Sequence, residues 1–131
     1  MLRETTIALR QDLFAEVAAI IEVEYGDQLT LDEIAHRVAS SRRQLQRAFA
    51  EVGETSFREY LTAFRMDRAA ELLAMSNLTV REVAGQVGYR QPAQFAKAFR
   101  RRHGEAPSEY RQRLLVEGEQ SPLVGSVPQA A

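Results

Sequence analysis

Two short stretches gather cations and carboxamides: "SSRRQLQRAFA", residues 40–50, and "QFAKAFRRRHG", residues 94–104. The first holds Arg42, Arg43, Gln46 and Arg47; the second holds Gln94, Lys97, Arg100 and Arg101. A guanidinium can donate two hydrogen bonds to the edge of guanine and a carboxamide can pair with adenine. Cations of both kinds also neutralise phosphate. No Asp or Glu interrupts residues 34–50 or 83–104, so the two stretches are candidates for recognising an anionic polymer that carries bases.

The chain offers little for other chemistry. It has no cysteine, which excludes disulfides, thiolate metal sites and cysteine nucleophiles and fits a reducing compartment. Its two histidines, His36 and His103, fall in different halves, and there is no glycine-rich phosphate loop. Nothing converges to make a catalytic centre. No enzymatic activity, metal or cofactor is expected.

The formal net charge of -1 conceals an uneven distribution. Residues 1–30 sum to -4, residues 31–115 to +5 and residues 116–131 to -2. A basic middle between acidic ends points to an anionic partner. The start has scattered charges and no apolar core, and the longest plainly apolar run is "VAAII", residues 17–21. Neither a signal peptide nor a membrane span is expected, and the cytoplasm is the expected location.

The elements that must position these groups form a repeat. "LTLDEIAHRVA" (29–39) matches "LTVREVAGQVG" (78–88), and Leu45, Ala48, Phe49, Glu59 and Tyr60 return as Phe95, Ala98, Phe99, Glu109 and Tyr110. Duplication of one helical unit is the reading. Ser or Thr followed three residues later by Glu or Gln marks helix starts at Thr30, Ser41, Ser56 and Thr79. Pro92 and Pro107 mark two more.

Upstream, Phe14, Val17, Ala18, Ile21 and Tyr25 line one helical face before Gly26. No segment alternates with period two. An all-α fold of seven helices follows, with two helix-turn-helix subdomains joined by a long connector. The expected organisation is an extension over residues 1–9, subdomains over 10–55 and 77–115, a connector over 56–76, and a disordered tail over 116–131.

Winding the second helix of each unit at 100° per residue separates its faces. With Leu45 inward, Ala48, Phe49 and Val52 lie within about 60° of it, and Arg43 and Arg47 point outward beside Gln44 and Gln46. In the second copy Phe95, Ala98 and Phe99 point inward, while Ala93, Lys97 and Arg100 point outward beside Gln94 and Arg101. Arg102 is one position round from Phe95 and should run along the core to a carboxylate. Arg42, Arg90, Arg100 and Arg101 are the candidate phosphate contacts.

The repeated unit, "FREYLTAFRMDRAAELL", and above all "VAGQVGYRQPAQFAKAFRRRHGEAPSEYR" resemble the DNA-binding domain of AraC/XylS-type bacterial transcription regulators. The likeness covers roughly residues 10–115, and the spacing of Gly88, Tyr89, Phe95, Phe99, Gly104, Pro107 and Tyr110 carries it. It implies two helix-turn-helix lobes whose reading helices enter successive major grooves of double-stranded DNA, with a monomer on DNA and RNA polymerase as a partner of an activator. Carried over, the base-contacting places fall on Arg43, Gln46 and Arg47 and on Ala93, Gln94 and Lys97. The connector from Phe57 to Ala74 would be about 27 Å long, near the one-turn spacing of roughly 34 Å.

The sequence departs from the family pattern at Gln91, where a small capping residue is usual, and at Ala106, where serine is common before proline. Ala93 and Ala96 leave the second reader poor in hydrogen-bonding groups. The first lobe is therefore expected to carry most of the specificity. The rival reading is an adaptor that docks on RNA polymerase or another regulator through the acidic first helix, with Asp12, Glu16, Glu22 and Glu24, and touches DNA secondarily. His36 projects away from Ile34, Ala35 and Val38 towards solvent, and His103 closes a helix where positive charge suits the dipole.

Overall fold

The structure, a computed structural model, describes residues 2–120. Among these residues there are seven helices and no strand: α1 Leu2–Glu24, α2 Leu31–Arg37, α3 Arg42–Val52, α4 Phe57–Met75, α5 Val80–Gln86, α6 Pro92–His103 and α7 Pro107–Gln120. The all-α architecture expected from periodicity and start signals is the one observed.

All six start signals open a helix. The Thr30 hydroxyl accepts the Glu33 amide at 3.2 Å, and the Ser41 hydroxyl accepts that of Gln44 at 3.1 Å. At Thr79 the box is reciprocal: the hydroxyl accepts the Glu82 amide and the Glu82 carboxylate accepts the Thr79 amide. The Thr79 donors hold the Glu82 carboxyl below its ordinary pKa. Ser56 accepts the Glu59 amide at 3.0 Å, and Pro92 and Pro107 stand at the first positions of α6 and α7. Each bond satisfies an amide that the first helical turn leaves without a partner.

Two stretches at the ends are more helical than the sequence suggested. α1 begins at Leu2, so from that residue the expected N-terminal extension forms its first turns. No Gly or Pro occurs before Gly26 to stop it. At the other end α7 continues to Gln120, past the start of the expected tail at residue 116. The Arg113 to Glu117 ion pair, four residues apart at 2.9 Å, supports that last turn. The rest of the expected tail, 121–131, lies outside the described residues.

The chain divides into two compact units, residues 1–65 and 66–131. In the first, Val17 and Ile21 of α1, Ile34 and Ala35 of α2, Leu45 and Phe49 of α3, and Phe57 and Leu61 of α4 are buried together. Phe49 is the centre: its ring meets Phe14, Tyr60 and Phe57 edge-on with centroids 4.9, 5.6 and 5.8 Å away. Gly53 lets Phe14 in, because a Cβ there would stand 2.6 Å from its ring. Two arginines tie the surface of this unit. Arg37 forms a two-pronged pair with Glu24 at 2.7 Å on both sides, and Arg65 donates to the Tyr25 and Asp27 carbonyls at 2.6 and 2.7 Å.

The second unit buries Met66, Ala69, Ala70 and Leu73 of α4 with Val83 and Ala84 of α5, Val87, and Phe95 and Phe99 of α6. Its aromatic line runs Tyr89, Phe95, Phe99, Tyr110, with neighbouring centroids 5.9, 5.8 and 5.4 Å apart. Arg111 of α7 takes the part that Arg65 has in the first unit. It donates to the Leu73, Leu78 and Ser76 carbonyls at 3.0, 2.6 and 3.3 Å, satisfying the open end of α4 and the loop after it.

Candidate nucleic-acid interface

In each unit a short helix supports a longer second one. In the first, α2 and the turn 38–41 lead into α3, whose buried residues are Leu45, Ala48 and Phe49. Removing these side chains from water fixes the rotation of the helix. The opposite face is then outward, and Arg42, Arg43, Gln44, Gln46 and Arg47 are all exposed. No carboxylate shares that face until Glu51, which pairs with Arg10. Arg42 has its Nε 3.3 Å from Asp32 of α2.

In the second unit α5 and the turn 87–91 lead into α6, which buries Phe95 and Phe99. Ala93, Gln94, Lys97, Arg100 and Arg101 are exposed, as is Arg90 in the turn. Gln91 stands at the cap position and makes no side-chain capping bond, a consequence of its length: the short Ser or Asn side chain places its oxygen on the amide and a longer one does not. At Ala106, which has no hydroxyl, the Glu109 carboxylate accepts the Ala106 amide at 2.9 Å and supplies the other half of the box. The same carboxylate lies 3.6 Å from Arg100.

The three consecutive arginines leave α6 for different surroundings. Arg100 and Arg101 stay outward. Arg102 turns back, and its Nε and Nη2 donate to both carboxylate oxygens of Asp67 at 3.0 and 2.8 Å. The Arg102 guanidinium holds the Asp67 carboxyl below its ordinary pKa, and the carboxylate in turn raises that of the arginine. The structural role expected for Arg102 is the one it has.

His103, beside it, does more than close the helix: Nε2 lies 3.1 Å from the Met66 carbonyl, and the ring packs on Phe99 with centroids 4.5 Å apart. His36 is exposed.

The structure thus leaves Arg43, Gln46 and Arg47 exposed on the outward face of α3, with Arg42 exposed at its edge beside Asp32, and Ala93, Gln94, Lys97, Arg100 and Arg101 exposed on that of α6. Sequence reasoning missed the carboxylate partners of two of them, Asp32 and Glu109, because these reach across from a neighbouring helix and leave no periodic trace. It also missed Arg81 of α5, exposed and charged, which a comparison of the two repeat copies could have exposed.

Among the described residues no group of three or more His, Cys, Asp or Glu side chains could hold a metal ion, and no helix is long and apolar enough to cross a membrane.

Comparison with known proteins fits this geometry. The family described as "Helix-turn-helix domain" matches residues 34–113. The DNA-binding domain of AdpA, a global transcriptional factor solved in complex with a target DNA, superposes with a TM-score of 0.77 at 31% identity over 82% of this chain and 97% of that one. The C-terminal domain of AraT, a response regulator from Geobacillus stearothermophilus, gives 0.75 at 31% over 77% and 84%. A transcriptional regulator from Chromobacterium violaceum, described as having an AraC-type DNA-binding domain, gives 0.75 at 26% over 88% and 98%. No curated protein sequence matches significantly.

Two helix-turn-helix units on an all-α scaffold, matched in this way, define the class: a DNA-binding domain of a transcription regulator. The chain belongs to the AraC-type family.

Proposed function

We propose that the chain is a sequence-specific transcription regulator, acting as an activator at the chromosome in the cytoplasm, that inserts α3 and α6 into successive major grooves of one duplex as a monomer. Arg43, Gln46 and Arg47 read bases in the first lobe. Ala93, Gln94 and Lys97 face bases in the second, where an alanine methyl suits the thymine methyl group. Arg42, Arg90, Arg100 and Arg101 bind phosphate and set the register. One observation carries this reading: each second helix is fixed by two buried residues four apart and turns an exposed face of cations and amides to solvent, with no carboxylate from 42 to 50 in α3 or anywhere in α6.

Selection of bound sites from random duplexes tests it directly. The expected product is a bipartite site, with the stronger preference in the half read by the first lobe. Trimming the selected duplex to a single groove should lower affinity steeply and reduce the salt dependence. Recovery of no preferred sequence, or binding indifferent to trimming, would refute it.

A second reading has its own support. Asp12, Glu16 and Glu22 of α1 are exposed, with Asp12 and Glu16 one turn apart on the same side of the helix, which suits a basic patch on RNA polymerase or another regulator. In an activator the two readings coexist. In a pure adaptor, neutralising these three carboxylates abolishes function while DNA affinity stays weak and independent of duplex length.

A further inference from the structure

The two lobes differ at a place that neither reading helix contains. Thr30 and Thr79 cap α2 and α5 in the same way, each accepting the amide three residues on. Their equivalence places Asp32 and Arg81 at the same position of the repeat, each two residues past its threonine. In the first lobe the Asp32 carboxylate lies 3.3 Å from Arg42, the first residue of α3. In the first lobe the second residue of the supporting helix therefore stands beside the leading end of the reading helix, the end that enters a groove first.

In the second lobe the residue corresponding to Arg42 is Pro92, which has no charge, and the one corresponding to Asp32 is Arg81, which has. Arg81 is exposed. The adjacent carboxylate, Glu82, accepts the Thr79 amide at 2.8 Å. Of the cations near the leading end, the first lobe has Arg42 and Arg43 on the reading helix, with a carboxylate beside Arg42. In the second lobe the reading helix opens on uncharged Pro92, and the cations are Arg90 of the turn and, by the repeat, Arg81 of the supporting helix. The imbalance extends along both pairs of helices: Leu31–Val52 carries four arginines and three carboxylates, and Val80–His103 carries six cations and one carboxylate.

We propose that this position sets how strongly each lobe grips phosphate irrespective of sequence: Asp32 restrains Arg42 and weakens indiscriminate binding by the first lobe, and Arg81 is an additional phosphate contact of the second. Asp32 acts through Arg42 and through its own repulsion of the DNA backbone, so it is a positioning residue for discrimination. Both partners of the pair are largely exposed, with side-chain accessibilities of 61% for Arg42 and 71% for Asp32, so the pair contributes little to folding. Its consequence falls on binding, where one phosphate contact more or less changes the salt slope by about 0.9. The inference rests on the proposed insertion of α3 and α6 into DNA.

The test compares the full chain with Asp32→Asn, Asp32→Glu and Arg81→Gln on the duplex recovered by selection and on a scrambled duplex of the same length, by fluorescence anisotropy across a salt series. Asp32→Asn should steepen the slope by about 0.9 and tighten binding to the scrambled duplex by about three- to eightfold near 0.1 M salt, narrowing the ratio between the two duplexes. Asp32→Glu should restore the ratio, an outcome that a merely structural role would not give. Arg81→Gln should reduce the slope by about 0.9 on both duplexes alike.

Thermal melting of each variant should match the parent chain. A variant that leaves slope and scrambled-duplex affinity unchanged overturns the role given to that residue, even while the parent chain binds its selected site. A parent chain that binds no duplex overturns this inference and the proposed function together.

Discussion

Both lobes hold their second helix by the same device, two buried residues four apart, Leu45 and Phe49 in one and Phe95 and Phe99 in the other. Outward they differ. The first presents Arg43, Gln46 and Arg47, and the second presents Ala93, Gln94 and Lys97. The inner face must fill a fixed volume at the density of a protein interior, where even one methylene is felt. The outer face costs almost nothing in stability whichever polar group stands there. One scaffold can therefore carry two outward faces of different character, and the difference has to be sought in binding.

The strongest way to break this comparison is to remove the central ring from each lobe in turn. Phe49→Ala and Phe99→Ala should each cost about 3–5 kcal/mol, the range for emptying a buried aromatic site. Hydrogen exchange should show the loss of protection confined first to residues 1–65 for Phe49→Ala and to residues 66–120 for Phe99→Ala. Equal loss throughout both units in each variant would show that the chain is one cooperative body and that the lobes cannot be compared as separate units.

A smaller effect bears on the readers themselves. Arg47→Ala should relax base preference at a cost of about 1–3 kcal/mol on the selected duplex, with little change on a scrambled one. Lys97→Ala should weaken both duplexes more nearly alike. If the two substitutions exchanged these behaviours, the assignment of specificity to the first lobe would be reversed.

Much of this was legible because it is local. A cap and its amide are three residues apart and a buried stripe repeats every three or four, so Thr30, Ser41, Thr79, Leu45 and Phe99 could be placed from the sequence. The arginines that tie each unit could not. Arg65 and Arg111 donate to carbonyls between 33 and 40 positions away, and a carbonyl carries no sequence signature. The pairing of Arg42 with Asp32 was hidden for a related reason, since two charges ten residues apart on different helices look like two solvated side chains. The outward faces were legible as faces. What they bind had to be argued from chemistry and from likeness to known DNA-binding domains.

The turns between supporting and reading helices offer a finer comparison. Ala39 and Gly88 occupy corresponding places in the repeat, and both have a left-handed backbone, with φ of 53° and 93°. An L-residue with a Cβ is disfavoured there by roughly 1–2 kcal/mol, and glycine is not. Gly88→Ala should therefore destabilise the second lobe by about 1–2 kcal/mol. Ala39→Gly should stabilise the first by about 1 kcal/mol at most, because glycine also gains freedom in the unfolded chain. Denaturant midpoints would check both. Opposite signs for the pair would support the equivalence of the two turns, and equal signs would deny it.

The smallest expected effect is one of pH, and it falls on both lobes through different pairs. Arg37 holds the Glu24 carboxyl below its ordinary pKa in the first, and Arg102 does the same for Asp67 in the second, with His103 adding a lesser depression. A carboxyl whose folded pKa is depressed binds fewer protons when folded than when unfolded as pH falls through the ordinary carboxylate range. Its stabilisation is therefore complete above the unfolded value, near pH 4, and declines as pH drops through the folded one. Asp67 is half exposed, so solvent screening limits the contribution to about 1 kcal/mol or less.

Asp67→Asn should lower stability slightly at pH 7 and flatten the acid limb of the second lobe, leaving that of the first unchanged. Glu24→Gln should do the converse. A variant whose acid limb stayed as steep as the parent's would show that its pair contributes nothing to the pH response, leaving it to other depressed carboxyls such as Glu82.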